Sequence, residues 1–197
     1  MREINKILYK TLFLVFLLFS VNAESKVLSI GSNDAKVTIK VFSSLTCPHC
    51  ASFHSSVFEN LKKDFIDKGL VKFEHHAFPL DLAALNAEII IRCHVDNIKK
   101  FKLLDKMYEK QKLWAVGSDI DKINDLIKKI GSELNLSNKK MDDCLQNESV
   151  QDEILKQRIE AQKKYKISST PTIYINEKKY EDKHKFKSFK KQIDKLL

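Results

Sequence analysis

Strand-like segments stand only near the two ends of this chain, and nearly everything between them has the period of a helix; no other feature limits the available folds as much. Near the start, Val37, Ile39 and Val41 alternate with Thr38 and Lys40 before Phe42, the period of a strand with one buried face. Residues 27–30 read as a shorter edge strand. Apolar residues then recur at Cys50, Phe53, Val57, Leu61 and Phe65, with Phe58 and Ile66 beside them, which is helical spacing, and Gly69 stops the run. Residues 70–78 form the next strand: Val71, Phe73, His75 and Ala77 fall on one side of an extended chain, and Pro79 ends it. From Asp81 to about Lys164 helical periodicity dominates, at 82–93, 99–112, 119–130 and 150–164. A hairpin follows at 172–175 and 178–180, and Phe186, Phe189, Ile193 and Leu196 mark a closing helix. A hairpin with one helix buries too little to stand alone, whereas joined to the early strand-helix-strand unit it completes one core. The expectation is an α/β fold whose single sheet is assembled from both ends of the chain. Its parts are 24–80, a helical insertion and connecting helix at 81–164, and 165–197.

Composition supports a packed, helix-rich domain. Of 197 residues, 43% are hydrophobic, enough for a core, and only 4 Gly and 3 Pro are present, which excludes coil-rich and low-complexity readings. The net charge is +9, but the excess is lysine scattered along the chain, so a solvated basic surface is expected and nucleic acid is not. Arg2, Lys6 and Lys10 precede the apolar run TLFLVFLLFSV, and Val21-Asn22-Ala23 supplies small residues after it. This is the pattern of a secretory signal at residues 1–23, cleaved after Ala23; the run is too short for an ordinary membrane span, with an uncleaved anchor as the alternative.

Export changes how the four cysteines are read, because disulfides persist outside the cytosol. Four cysteines allow three pairings. Cys47 and Cys50 sit in Cys-Pro-His-Cys while Cys93 and Cys144 stand alone, so a local pair plus a distant pair is the economical assignment. A buried free thiol at Cys93, which follows the apolar run of Ile89, Ile90 and Ile91, is the alternative. Cysteines at i and i+3 meet across the first turn of a helix. A helix beginning at Cys47 sets that sulfur near unpaired N–H groups and the positive end of the helix dipole, which favours the thiolate. Because the dithiol gains that stabilisation, the disulfide becomes the stronger oxidant. Pro48 suits the first turn, where its missing N–H is no loss. His49 can add an imidazolium or a hydrogen-bond donor beside the sulfur. Cys50 lies on the apolar stripe and is expected to be buried and resolving; Cys47 is then the exposed, attacking thiol. A small structural loop or a zinc site fits less well, since the one closes too short a loop and the other lacks a second paired set of ligands. The remaining histidines, His54, His75, His76 and His94, are read as surface or strand-face residues.

The second constellation is Ser168-Ser169-Thr170-Pro171-Thr172, just before the hairpin. A proline here can be cis or trans on local sequence. Either way it leaves the backbone around Thr170 free to pair with an extended segment of substrate.

Together, Cys47-Pro48-His49-Cys50, the helical block and the downstream Thr170-Pro171 resemble the periplasmic disulfide-bond oxidoreductases of the DsbA family, in the thioredoxin superfamily. The resemblance covers nearly the whole chain after Ala23. It implies a thioredoxin-like fold with an inserted helical domain, Cys47 as nucleophile, Cys50 as resolving cysteine, Pro48 and His49 as the tuning dipeptide, and Thr170 before a cis Pro171. It also implies that Cys93 and Cys144 form the extra, non-catalytic disulfide of some alphaproteobacterial-type members. Three departures stand out. Many members carry a buried acid six residues before the first cysteine, where this chain has Val41 with Lys40 beside it; Ser44 stands where an acid is common; and Asn176-Glu177 replaces the usual Asn-Gly turn, which leaves the turn type open.

The function expected is disulfide transfer into reduced exported proteins in the periplasm, by a monomer needing no metal or organic cofactor. A membrane quinone-linked partner for reoxidation is implied by the resemblance. Two alternatives stand beside it: a reductase or isomerase on the same fold, and a secreted basic binding module braced by its cysteines.

Overall fold

The computed structural model describes residues 27–197. The expected signal at 1–23 lies outside them. Among the described residues, no helix is long and apolar enough to cross a membrane.

The elements run β1 (Leu28–Ile30), β2 (Val37–Ser43), a long helix α1 beginning at Pro48–Phe53, β3 (Val71–Ala77), α2 (Leu82–Arg92), α3 (Asn97–Glu109), α4 (Gln111–Trp114), α5 (Ile120–Ser132), α6 (Asn138–Leu145), α7 (Glu148–Tyr165), β4 (Thr172–Ile175), β5 (Lys178–Lys179) and α8 (Phe186–Asp194). One five-stranded sheet has the order β1-β3-β2-β4-β5. β2 and β3 are parallel and joined by α1; β4 lies antiparallel to β2, with Phe42 opposite Thr172. The late hairpin thus completes the sheet begun by the early strands. This is a thioredoxin-like sheet with an inserted helical region.

Alternation along β2 and β3 sends Val37, Ile39, Val41, Val71 and Phe73 into the main core beneath α1 and α3. On the opposite face Phe42 meets Phe78, Ala161 and Ile167, so that α7 covers the other side. α1 is continuous but carries two π-helical turns, at His54–Phe58 and Lys62–Ile66, and its end at Gly69 takes a φ of 71°, a conformation glycine adopts freely.

Two elements depart from the periodicity. α6 lies in a stretch too polar to show a helical stripe, with Met141 its one fully buried residue. The turn at Asn176 and Glu177 has positive φ at both positions, 45° and 64°, the pattern of a type I′ hairpin, so Glu177 stands in the left-handed region usually given to glycine. Its carboxylate is held there by Lys40 and by the Tyr165 hydroxyl at 3.2 Å.

Candidate functional site

The site forms where β2 ends, α1 begins and the loop before β4 returns. After Ser43 the chain turns; the Cys47 N–H donates to the Ser44 carbonyl at 3.1 Å, and Pro48 opens α1. Cys47 is the N-cap, with extended backbone, and its carbonyl accepts the Cys50 N–H at 3.1 Å and the Ala51 N–H at 3.2 Å. The loop is anchored from below by Gln111, fully enclosed in the fold, whose Nε2 donates to the carbonyls of Leu45 (2.7 Å) and Cys47 (3.0 Å). From the side, the Thr46 hydroxyl donates to Asp81 at 2.7 Å, the residue that caps α2.

Because β4 pairs with β2, the segment preceding it arrives beside the cysteines. The Thr170–Pro171 peptide bond is cis, and the Cys47 thiol donates to the Thr170 carbonyl at 3.3 Å. The structure therefore brings Cys47, Pro48, His49, Cys50, Thr170 and Pro171 into one site. Cys93 and Cys144 lie elsewhere, bonded to each other, and tie the end of α2 to α6.

One expectation fails. Cys47 is not exposed: it is 7% accessible against 1% for Cys50, because the Thr170 loop closes over its sulfur. The solvent-facing members are Pro48 and His49. Both cysteines are free thiols. Burial pushes the Cys50 thiol far above its ordinary range, partly opposed by a hydrogen bond from the Ser44 backbone and reinforced by neighbouring Cys47. His184, just before α8, has its imidazole pKa lowered by burial and by neighbouring His49, and its ring centroid lies 6.0 Å from that of Phe53 on α1.

The histidine reading also needs correction. His54 is buried on α1, its ring 4.7 Å from that of Tyr108, with Nε2 2.7 Å from Asp105; His94 is buried as well. His75 does lie on the inner strand face, but inside a polar group that periodicity did not reveal. His75 Nε2 is 2.7 Å from Glu88, its Nδ1 is 3.2 Å from Ser43 Oγ, and the Tyr108 hydroxyl donates to Ser43 at 3.1 Å. All four residues are buried. Gln111 and His184 were likewise missed, since nothing local marks a side chain whose partner is remote in sequence.

With this geometry in place, comparison with known proteins is informative. The Thioredoxin family profile matches residues 23–195. The disulfide bond formation protein D of Bacillus subtilis is 31% identical over 175 residues, covering 85% of this chain and 76% of that one. The chain belongs to the DsbA-like branch of the thioredoxin family. Among solved structures of such proteins, alpha-DsbA1 of Wolbachia pipientis superposes with a TM-score of 0.80 at 25% identity, covering 87% of this chain and 91% of that one. A protein of Rickettsia bellii named putative protein-disulfide oxidoreductase is 28% identical over 169 residues, 85% of this chain, and this chain spans 63% of its length.

Proposed function

We propose that this chain is a protein-disulfide oxidoreductase that works outside the cytosol and passes the Cys47–Cys50 disulfide to reduced exported proteins. The observation that carries the reading is the position of Cys47, at the head of α1 and within hydrogen-bonding reach of the Thr170 carbonyl before cis Pro171. A sulfur with that helix start on one side and the Thr170 backbone on the other is suited both to holding charge and to docking a client strand.

In the forward reaction a client thiolate attacks Cys47 Sγ. The Cys47–Cys50 bond breaks, a client–Cys47 disulfide forms, and the electron pair leaves on Cys50. A second client thiolate then attacks the client sulfur, releasing an oxidised client and the dithiol. Thr170 and Pro171 would bind the client backbone; Pro48 and His49 would tune Cys47; and exposed Leu82, which lines a hollow of about 550 Å³ together with Thr46, Ala83, Ala115 and Ile123, would offer apolar surface for client side chains. A quinone-linked membrane partner would restore the disulfide. The protein would act as a monomer, and the Cys93–Cys144 disulfide would be structural.

The test is equilibration of the Cys47–Cys50 pair against a glutathione redox buffer, with alkylation of the free thiols. A potential above about −180 mV is expected of a disulfide donor. A value near that of thioredoxin, about −270 mV, would make the chain a reductase or isomerase, and no exchange at all would reject the redox role.

A further inference from the structure

The turn between α2 and α3 carries side chains that water disfavours. Val95 is 91% exposed, the highest value for a large apolar residue among the described residues, and Ile98, in the first turn of α3, is 65% exposed. Single apolar residues on a surface are ordinary. These two stand three residues apart on one tip, and the tip is fixed. Cys93 before it is bonded to Cys144 of α6, His94 is buried, and the Asp96 carboxylate caps α3 by accepting the Lys99 N–H at 2.8 Å. Val95 and Ile98 are thus held outward instead of folding back onto the core.

Positive charge gathers at the same place. Lys99 and Lys100 lie in the first turn of α3, Lys102 is one turn beyond Ile98, and Lys139 and Lys140 lie in the first turn of α6; neither first turn holds an acid. A helix start is the positive end of its dipole, so lysines there are unfavourable in water. Lys140 stands one turn before Cys144, whose Cα the disulfide holds 6.1 Å from that of Cys93. The charges of Lys99 and Lys140 add to burial in lowering the pKa of His94, whose Nε2 has no hydrogen-bond partner among the described residues. Farther along α3, Lys106 and Lys110 are neutralised by Glu133. Lys99, Lys102 and Lys140 have no ion-pair partner among the described residues.

We propose that this tip, Val95 and Ile98 with Lys99, Lys102 and Lys140 beside them, docks the protein onto the surface of an anionic phospholipid bilayer. Exposed apolar side chains and unpaired cations both cost stability in water, and both become favourable there: the apolar pair enters the headgroup region and the lysines meet lipid phosphates. A purely acidic partner would satisfy the lysines and leave Val95 and Ile98 without a role. The chain also enters the fold on this side, since Val27 and Leu28 line hollows that reach Asn97, next to Ile98. The apolar run that precedes them ends at Val21, six residues before Val27, a reach of about 20 Å at most. α3, 13 residues and about 20 Å long, separates the tip from Gln111 beneath the cysteine loop, so Cys47 stays clear of the contact. The docking does not depend on the redox reading; it sets where the protein works, not what the cysteines do.

The test is co-sedimentation of the full chain, expressed for export and used in the form recovered, with vesicles of phosphatidylglycerol in phosphatidylcholine and of phosphatidylcholine alone. The wild type is expected to bind the anionic vesicles at least about 10-fold more strongly, and less as salt is raised. Lys99→Gln, Lys102→Gln and Lys140→Gln together are expected to weaken that binding by about 100-fold, about 5-fold for each lysine. Val95→Ser with Ile98→Ser is expected to weaken it by about 10-fold. Thiol–disulfide exchange in solution stays at the wild-type rate in both variants. Where an attached apolar run holds every form on the vesicles, brominated lipids decide: Val95→Trp is expected to lose fluorescence relative to the wild type, whose one tryptophan, Trp114, is buried. Equal binding of wild type and variants, no preference for anionic vesicles, or an unquenched Val95→Trp would overturn the proposal. So would a wild type that ignores vesicles and sediments as a dimer dispersed by Ile98→Ser, which would make the tip an interface between copies.

Discussion

Gln111 shows how much of the site rests on a residue without redox chemistry. Its Nε2 satisfies two carbonyls of the cysteine loop at once, from a position enclosed in the fold. Removing a buried donor leaves its acceptors unpaired, at about 1–3 kcal/mol for such a group. Gln111→Leu is therefore expected to lower stability by about 2–3 kcal/mol in urea unfolding, with Cys47 more readily alkylated because the loop loses its anchor. An unchanged midpoint would mean that the loop is held by Thr46–Asp81 alone. At this scale the sequence was legible where spacing is local: Cys47 to Cys50, Thr170 before Pro171, His75 facing inward. It was silent where partners lie far apart. Ser43, His75, Glu88 and Tyr108 come from four elements, and only the packed fold shows that they touch. Burial of Cys47 was missed for the same reason, since the loop that covers it arrives from more than a hundred residues downstream.

At the scale of elements, the helical insertion is held to itself by a covalent link. α2 was legible from its apolar run, whereas α6, reading NKKMDDCL, shows no stripe and contributes Met141 to the core with Cys144 beside it. Gly131 on α5 allows that approach, for a Cβ there would lie 2.4 Å from the Met141 sulfur. A short polar helix with so little buried surface gains much from being tethered. The Cys93–Cys144 bond does this across a sequence separation of 51, for which loop-closure entropy alone gives about 4 kcal/mol. The double variant Cys93→Ala, Cys144→Ala is expected to lose up to about 4 kcal/mol in denaturant unfolding while the Cys47–Cys50 potential stays within about 10 mV, since neither sulfur reaches the site. A large change in potential would show instead that the insertion is coupled to the cysteine loop through α2 and Asp81.

Across the whole molecule, the decisive fact is that the site is closed only when both ends of the chain share one sheet. β4 must pair with β2 before the Thr170 carbonyl can face Cys47, so the environment of the sulfurs exists only in the folded protein. In the dithiol, Cys47 donates to Thr170 and Cys50 receives the Ser44 backbone; forming the disulfide takes away the Cys47 proton and with it the first of these bonds. The unfolded chain has no such preference. By the thermodynamic cycle linking folding to redox state, a dithiol favoured in the native protein raises the potential of the folded pair. Each 30 mV by which it exceeds the unfolded pair is about 1.4 kcal/mol of extra stability for the reduced form. The reduced protein is therefore expected to melt at a higher temperature than the one oxidised at Cys47–Cys50, compared in a Cys93→Ala, Cys144→Ala background so that reductant acts on one pair only. A higher melting temperature for the oxidised form would reverse the sign of the cycle. The fold would then hold its disulfide more tightly than an unfolded chain does, as befits a reductase, and the Thr170 contact would be a client dock without influence on the direction of exchange.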